Sequence, residues 1–211
     1  MLVTGIKSKP VYAPLQADTR GRHHLMVGMG VGAEPLLRVI AEMQSAAAGV
    51  LRNTRVLYVP DGGDAGATGP GNSAPQIGRF AAAVADVQAF RGTPALLGEF
   101  RSTLGKSLMG TRLYVAGPES FIGLVMKIAL EFNLNKDEIR AEECGTLARR
   151  VYCIHCRATT ETVRTNIVQC IECDRWLLVR DHYSRRLAAY MGVMVDAEAP
   201  GELPPLKEVF L

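Results

Sequence analysis

Four cysteines in the last third of this 211-residue chain constrain its fold more than any other feature. They form two C-x2-C pairs separated by thirteen residues: Cys153, Cys156, Cys170 and Cys173. Two intervening residues allow a tight turn to aim both sulfurs of a pair at one ion, and thirteen suffice for a hairpin that returns the second pair to the first. Four thiolates at about 2.3 Å from a Zn²⁺ complete a tetrahedral shell. The spacing therefore predicts a structural metal site with no position open for catalysis.

The residues around these cysteines bear on which metal is bound. Rubredoxin knuckles carry a glycine after the second cysteine of each pair, whereas Arg157 and Asp174 stand there in this chain. This difference favours zinc, with iron in the same site as the alternative. His155 is the alternative ligand in a variant site, and free or disulfide-bonded cysteines are a further alternative. Cys144, nine residues upstream, is interpreted as a small buried residue.

The cysteines also bear on the cellular compartment. In a reducing compartment, paired cysteines indicate a metal or redox site rather than structural disulfides. The chain has no apolar run of about 18 residues or more, which is the length a membrane span needs. Its first seven residues also lack the apolar stretch of a secretory signal. We therefore expect a cytoplasmic protein with no membrane partner.

Positive charge is concentrated around the same cysteines. The whole chain carries a formal charge of +3, from 24 Lys and Arg against 21 Asp and Glu. Residues 149–190 contain eight arginines, no lysine and four acidic residues, so this segment carries +4 and the remainder −1. Arginine favours bidentate contacts to carboxylates or phosphates. Three interpretations follow: a surface that docks on an acidic protein, a solvated face with internal ion pairs, or a nucleic-acid-binding ribbon, which the scarcity of aromatic residues disfavours.

Upstream of the cysteines, strands alternate with helices. Apolar strands are predicted at 25–27, 55–59 and 112–116, and apolar residues recur at helical spacing between these strands and after the last of them. Strands alternating with helices of this length predict an α/β fold, in which a parallel sheet has helices on both faces. A segment rich in glycine and proline, 60–78, interrupts the pattern. It is interpreted as a surface insertion or as a segment that a partner orders.

A glycine-rich turn joins the first predicted strand to the first predicted helix. It contains Gly30 and Gly32, and Glu34 and Pro35 follow. Glycines let the backbone approach a pyrophosphate, and a helix N-terminus favours negative charge. The turn by itself is a weak signal for a phosphate-binding site.

Three landmarks of this α/β segment resemble, in order, the nucleotide-binding domain of ferredoxin reductase-like flavoenzymes. The glycine-rich turn resembles their G-x-G-x-T-P-L motif, the end of the strand at 112–116 resembles their Y-V-C-G-P motif, and 138–142 resembles their terminal I-x-x-E strand. The resemblance spans residues 23–143 and implies a ferredoxin-reductase-like fold. The residues that it implies around a nucleotide cleft are Gly30, Gly32, Glu34, Gly117 and Pro118.

Two positions depart from the reductase pattern. Glu34 replaces the usual threonine, and a carboxylate at a helix N-terminus would repel nucleotide phosphates. Ala116 replaces the cysteine that lies beside the nicotinamide in those enzymes. The cleft is therefore predicted to be degenerate, with a structural use of the fold, and a retained nucleotide site is the alternative.

The whole chain resembles a narrower family, the small A subunits of bacterial dimethylamine monooxygenases. The most specific part runs from Tyr152 to Gly192 and includes Y-C-I-H-C, C-I-E-C and D-H-Y-S-R-R. The resemblance implies a multi-subunit, NAD(P)H-dependent haem monooxygenase that converts dimethylamine to methylamine and formaldehyde. It also implies one partner subunit with haem and another with flavin and iron–sulfur centres. The sequence has no haem-attachment motif and no catalytic constellation, so we expect a non-catalytic organiser of the complex.

These patterns divide the chain into four parts. The last part ends in Val209-Phe210-Leu211 and is interpreted either as a peptide that docks on a partner or as a clip on the chain's own core. His182 is interpreted as a strand-end histidine, or alternatively as one that faces a partner's cofactor. The four predicted parts are a leader at 1–22, a reductase-like α/β domain at 23–147 that contains the insertion, a zinc ribbon at 148–192 and a tail at 193–211.

Overall fold

The computed structural model describes residues 8–46, 49–60 and 74–211, which fall into two compact units. Residues 12–145 belong to the first, which we call the α/β unit. Residues 8–11 together with 146–211 belong to the second, which we call the ribbon unit. Across the described ranges we find no helix that is both long and apolar enough to span a membrane.

The α/β unit is built on a parallel sheet. Its elements are β1 (His23–Met29), α1 (Ala33–Ala46), β2 (Thr54–Val59), α2 (Ala74–Ala83), β3 (Asp86–Ala89), α3 (Thr93–Gly105), β4 (Thr111–Gly117), α4 (Glu119–Glu131) and β5 (Ile139–Glu143). The strand order is β3-β2-β1-β4-β5, and every neighbouring pair is parallel. This is the strand arrangement of a doubly wound nucleotide-binding domain. The predicted fold class is confirmed.

Apolar residues cover both faces of this sheet. On one face the strands pack against α3 and α4, where Phe100 and Phe121 are buried. On the other face they pack against α1 and α2, where Leu36 is buried. Successive residues of a strand point to opposite faces, so Met26 joins the core on the α1 side while Val27 joins the core on the α3 side. The short apolar strands predicted from the sequence are therefore buried on both sides.

The predicted leader, 1–22, is divided between the two units. Residues 1–7 lie outside the described residues, and 8–11 belong to the ribbon unit. From Tyr12 onward the chain belongs to the α/β unit, where Leu15 is only 1% exposed in the core on the α1 side. The pattern of the sequence misses this packing because a single apolar residue has no periodicity to reveal it.

Asp18 connects this segment to the sheet. Its side chain is buried, with Arg20, Arg112 and Arg140 at 2.9, 3.2 and 2.9 Å from its carboxylate oxygens. Its backbone N–H donates to the Tyr114 hydroxyl at 2.9 Å. The hydrogen bond from Arg20, reinforced by that from Arg112, holds the pKa of the Asp18 carboxyl well below its usual range despite burial. A buried carboxylate is tolerated here because it is paired on several sides.

The insertion predicted at 60–78 is described only at its ends, since residues 61–73 lie outside the described residues. Helix α2 begins at Ala74, so residues 74–78 are helical, contrary to the prediction. The helix begins this early because Ile77 and Phe80, three residues apart, form an apolar face that packs on the sheet.

The ribbon unit is a small mixed sheet. Its strands are β6 (Arg149–Cys153), β7 (Thr159–Val163), β8 (Ile167–Gln169), β9 (Trp176–Ser184) and β10 (Ala189–Met194). The order is β7-β6-β10-β9-β8, in which only the β6–β10 pair is parallel. Val151, Leu177 and Tyr190 are buried in its core.

The tail packs on the core of the ribbon unit. Thr165 and Glu208 form an isolated antiparallel bridge. The guanidinium carbon of Arg149 lies 3.8 Å from the ring centre of Phe210 and 4.0 Å from that of Tyr190, so the arginine is stacked against both rings. Of the two interpretations of the tail, the clip on the chain's own core is the one observed.

Candidate functional site

The two cysteine pairs are held by the same backbone turn, used twice. In the first knuckle the N–H of Arg157 donates to the carbonyl of Cys153 at 2.9 Å. In the second the N–H of Asp174 donates to the carbonyl of Cys170 at 3.2 Å. The first knuckle follows β6 and the second lies between β8 and β9, so the ribbon sheet positions both. The hairpin that the spacing predicts between the pairs is wrong, because the strands in that segment, β7 and β8, lie at opposite edges of the sheet and pair with β6 and β9 instead. The sheet as a whole brings the second pair to the first.

The four sulfurs lie together in a geometry that suits one metal ion. All are within 4.8 Å of one another. The Sγ atoms of Cys153 and Cys173 are 3.8 Å apart, and those of Cys156 and Cys170 are 3.5 Å apart. Four sulfurs at about 2.3 Å from a central zinc, arranged as a tetrahedron, are about 3.8 Å from one another. The side chains therefore fit a tetrathiolate metal site.

The environment of the cluster favours a closed site. Cys153 and Cys170 are buried, and Cys156 and Cys173 are half-buried. The backbone N–H of Arg175 donates to Cys173 and is the main reason that the pKa of this thiol is lowered to about 6. With four thiols present, a bound ion would have no open position for substrate.

The histidine of the first knuckle lies outside the sulfur cluster. His155 is exposed, and the Arg175 guanidinium donates to its Nδ1 at 3.0 Å. This contact joins the two knuckles on their outer side. Among the described residues, the group that can hold a metal consists of the four cysteines and does not include His155.

Cys144 belongs to the α/β unit, at the end of β5. Its backbone N–H donates to the carbonyl of Gly117 at 2.9 Å. Burial is the main cause that raises the pKa of its thiol to about 11. A half-buried thiol with a raised pKa is a poor nucleophile, in keeping with a packing role.

The glycine-rich turn is closed by contacts within the α/β unit. Gly30 has a left-handed backbone with φ +54°, and its carbonyl accepts a 2.7 Å hydrogen bond from the Tyr58 hydroxyl. Gly32 lies against β4: a Cβ on it would be 2.2 Å from the carbonyl oxygen of Ala116. Glycine is thus required at this position for close packing of the turn on the neighbouring strand.

Glu34 has a partner of its own at the N-terminus of α1. Arg79 of α2 makes a bidentate ion pair with its carboxylate. Both side chains are about half exposed, at 59% for Glu34 and 51% for Arg79. In the reductase pattern the first turn of α1 faces a phosphate. Here the Glu34 carboxylate lies at this turn, and the Arg79 guanidinium from α2 is paired with it.

The other two predicted cleft residues lie at the end of the adjacent strand. Gly117 has φ +155°, and a Cβ there would be 3.0 Å from the Phe121 ring. Pro118 precedes α4 as its N-cap. The sheet thus brings the predicted cleft residues to the carboxyl ends of neighbouring strands, where doubly wound folds bind ligands.

A cavity of about 360 Å³ lies at the amino ends of the strands of the same sheet, on the side opposite the predicted cleft residues. Its lining includes His23, Thr54 and Thr111, which are the first residues of β1, β2 and β4. Arg52 and Lys106 add positive charge to its wall. The cavity is separate from the glycine-rich turn, because that turn follows the carboxyl end of β1.

The arginines of residues 149–190 divide into two groups. Three have partners within the ribbon unit: Arg149 pairs with Asp181 at 2.7 Å, Arg150 pairs with Glu161 at 2.9 Å, and Arg175 contacts His155. In the described part of the chain the other five have no side-chain partner; they are Arg157, Arg164, Arg180, Arg185 and Arg186. The interpretation as a face with internal ion pairs therefore accounts for only part of this positive charge.

His182 is exposed on β9.

Comparison with protein families gives two matches in this chain. Residues 4–139 match the family described as dimethylamine monooxygenase subunit DmmA-like, N-terminal domain. Residues 150–193 match its C-terminal domain. The heme-dependent oxidative N-demethylase delta subunit of Ectopseudomonas mendocina (strain ymp) is 29% identical over 193 residues, covering 92% of this chain and 91% of the relative.

Among solved structures, the chain is similar to parts of larger reductases. The ferredoxin reductase in carbazole 1,9a-dioxygenase is 17% identical with a TM-score of 0.41, covering 63% of this chain and 34% of the reductase. The Amycolatopsis cytochrome P450 reductase GcoB is 15% identical with a TM-score of 0.42, covering 60% and 38%. The chain thus spans little more than a third of the length of these two proteins.

Proposed function

Because this chain belongs to the family of DmmA-like dimethylamine monooxygenase subunits, we propose that it is a non-catalytic assembly subunit of a multi-subunit, NAD(P)H-dependent haem monooxygenase. The proposed reaction of the complex is the oxidative demethylation of dimethylamine to methylamine and formaldehyde. The proposed partners are a haem-containing catalytic subunit and a reductase subunit with flavin and iron–sulfur centres. The relative described as a subunit of a heme-dependent oxidative N-demethylase supports this assignment.

The ion pair at the N-terminus of α1 is the observation that carries the non-catalytic role. A nucleotide phosphate approaching this turn would meet the Glu34 carboxylate, and Arg79 is already paired with that carboxylate. At the end of β4 the side chain of Ala116 is only a methyl group, whereas the ferredoxin reductase-like enzymes that this segment resembles have a cysteine there. The chain accordingly uses the α/β fold for its shape rather than for hydride chemistry.

The proposed metal in the four-cysteine site is zinc, with a structural role. The sulfur separations of 3.5 and 3.8 Å and the all-thiol ligand set support it. When bound, zinc would cross-link the two knuckles and so stabilise a unit with a small core. The thiols must stay reduced for this purpose, which supports a cytoplasmic location.

The proposed assembly role assigns partner docking to the ribbon unit. Its five arginines without side-chain partners in the described residues give it free positive charge. Guanidinium groups suit bidentate contact with carboxylates on another protein. Docking of this kind would hold the haem and reductase subunits close enough for electron transfer.

The test of this function is reconstitution of the complex with and without this chain. We expect that the complex lacking it oxidises NADPH but releases less formaldehyde from dimethylamine, and that adding the chain restores coupling. Full NADPH-coupled demethylation without the chain would contradict the assembly role.

A second candidate is a nucleotide-binding or electron-relay subunit of the same complex. The glycine-rich turn at the carboxyl end of β1 in a doubly wound sheet favours nucleotide binding. Absence of NADPH binding at millimolar concentration would remove this role. Metal analysis tests the relay, because a colourless protein that contains zinc and no iron has no redox centre in the four-cysteine site.

A further inference from the structure

The residue that follows each cysteine pair adopts a left-handed backbone without being glycine. Arg157 has φ +70° and Asp174 has φ +56°. They occupy equivalent positions in the two knuckles, where each N–H closes the turn on the first cysteine of its pair. Glycine adopts such a conformation without steric cost, whereas a residue with a Cβ does not. The knuckles therefore keep side chains where glycine would be easier to accommodate.

Nothing in the described part of the chain uses these two side chains. Arg157 and Asp174 are exposed, and neither side chain has a hydrogen bond or ion pair within the described residues. The contacts of Asp174 are made by its backbone, whose carbonyl accepts a 3.1 Å hydrogen bond from the Gln169 amide. The turn holds each strained backbone through its N–H, and strained residues of this kind cluster at functional positions.

The same knuckles expose an apolar side chain at a second pair of equivalent positions. Ile154 and Ile171 each follow the first cysteine of a pair, and they are 50% and 68% exposed. The N–H of Ile154 donates to the carbonyl of Gly192 at 3.2 Å, so β10 holds the first loop in place. The contact of Arg175 with His155 joins the two loops. Two isoleucines are thus presented on a preorganised support.

We propose that Ile154, Arg157, Ile171 and Asp174, which we call the knuckle surface, form a docking site for another subunit of the demethylase complex. The partner surface is an apolar patch flanked by a carboxylate that faces Arg157 and a cation that faces Asp174. Apolar anchors supply the affinity of such an interface, and opposite charges at its edge select the partner and its orientation. This inference rests on the proposed assembly function and deepens it by naming the contact residues.

The opposite signs of Arg157 and Asp174 distinguish this surface from a general basic face. A uniformly basic patch attracts any acidic protein, whereas one cation and one anion at equivalent positions match a partner in one orientation only. Two copies of this chain related by a twofold axis would also satisfy this arrangement, with each Arg157 facing the Asp174 of the other copy. Self-association is therefore an outcome that the experiment must separate from docking.

The experiment measures the affinity of the full, metal-loaded chain for the demethylase complex from which this subunit has been removed. The first variant is the double substitution Ile154→Ser with Ile171→Ser, and its control is Met109→Ser, a 96% exposed methionine of the α/β unit. We expect the double variant to weaken binding by about 100-fold, as for the loss of two anchors, and the control to leave it unchanged.

The second variants are Arg157→Gly and Asp174→Gly, with Arg91→Ala, at an exposed position of the α/β unit, as the control for loss of an exposed charge. Each glycine variant should weaken binding by about 5- to 20-fold, while its melting temperature stays the same or rises because strain is relieved. A purely structural role predicts the reverse, a lower melting temperature with unchanged binding. Metal content and Trp176 emission show whether each variant is folded.

The outcomes separate the two proposals. If the wild-type chain does not bind the depleted complex, the assembly function itself fails. If the wild-type chain binds but all knuckle variants bind within threefold of it, the assembly function stands and the knuckle surface is wrong. Light scattering that shows a wild-type dimer dissociated by Arg157→Gly would overturn heteromeric docking in favour of self-association.

Discussion

The two units of this protein differ in how much apolar surface they bury. Among the described residues, the α/β unit buries fifteen apolar residues on one face of its sheet and thirteen on the other. The ribbon unit buries twelve, of which eight form its core, and two of these eight are cysteines of the four-thiol cluster. Small domains gain too little from apolar burial and commonly depend on metals or disulfides. The comparison indicates that packing stabilises the α/β unit, whereas the ribbon unit would depend on the proposed metal to link its two knuckles.

Loss of the metal cluster gives the largest expected difference between the units. Structural zinc contributes roughly 10 kcal/mol in small metal-dependent domains, so we expect Cys170→Ser or a strong chelator to unfold the ribbon unit. The single tryptophan, Trp176, lies in β9 and reports on this unit alone, so its emission should shift to the red. The helical circular dichroism of the α/β unit should persist. Cys144→Ser is the matched control, and native Trp176 emission without bound metal would contradict the prediction.

A large-to-small substitution in the α/β core is expected to have the next largest effect. It should destabilise the α/β unit and leave the ribbon unit unchanged, the reverse of what loss of the cluster does. Phe100 is fully buried between α3 and the sheet, so Phe100→Ala should lower the free energy of unfolding by about 3–5 kcal/mol. Urea denaturation followed at 222 nm measures this loss. Leu108→Ala, at a 65% exposed position, should change it by less than about 0.5 kcal/mol. A Trp176 transition that moves together with the helical signal would show that the units do not unfold separately.

Removal of the tail clip should weaken the ribbon unit moderately. The Phe210 ring packs on the core and stacks on the Arg149 guanidinium, so Phe210→Ala should cost about 1–2 kcal/mol in the unfolding of the ribbon unit. Trp176 emission in urea provides the measurement. Leu206→Ala, at a 61% exposed position in the same tail, is the control. Equal midpoints for the two variants would mean that the clip adds no stability.

The pH dependence of the α/β unit gives the smallest expected effect. His24 is buried in β1, and burial is the main cause that lowers the pKa of its imidazole. The unfolded chain therefore binds the proton more readily than the folded one, so stability is complete above about 6.5, the ordinary pKa, and declines as the pH falls below it. His24→Gln should flatten this slope in urea melts at 222 nm, and the half-buried His23 supplies the control, His23→Gln. Identical slopes for all three proteins would exclude His24 as the cause.

Regular local patterns allowed much of the fold to be predicted. Apolar runs and helical spacing correctly indicate β1, β2 and β4 with the helices that alternate with them, because a buried strand or an amphipathic helix has a period that a short window reveals. The cysteine spacing likewise brings all four sulfurs together. The start of α2 inside the predicted insertion has no comparable signal, because the residues just before Ala74 are rich in glycine and include a proline.

The long-range contacts of the candidate sites had no such signal. Arg79 lies 45 residues from Glu34, and Arg140 lies 122 residues from Asp18. Charged residues at these separations show no periodicity, and only the strand order brings them together. The sequence predicts that Glu34 would repel phosphate, but it does not reveal that Arg79 already neutralises it.

The α/β alternation, the four-thiol cluster and the resemblance to monooxygenase subunits can all be predicted from the amino-acid sequence, because each is encoded in residue types at short, regular intervals. Three other features are visible in the folded chain but not in its sequence. The tail packs on the core of the ribbon unit, a segment of the predicted leader belongs to the α/β core, and Arg157 and Asp174 have strained backbones in knuckles that also expose two isoleucines. Burial and backbone strain depend on which distant segments meet in the fold, and a local sequence pattern does not encode those contacts.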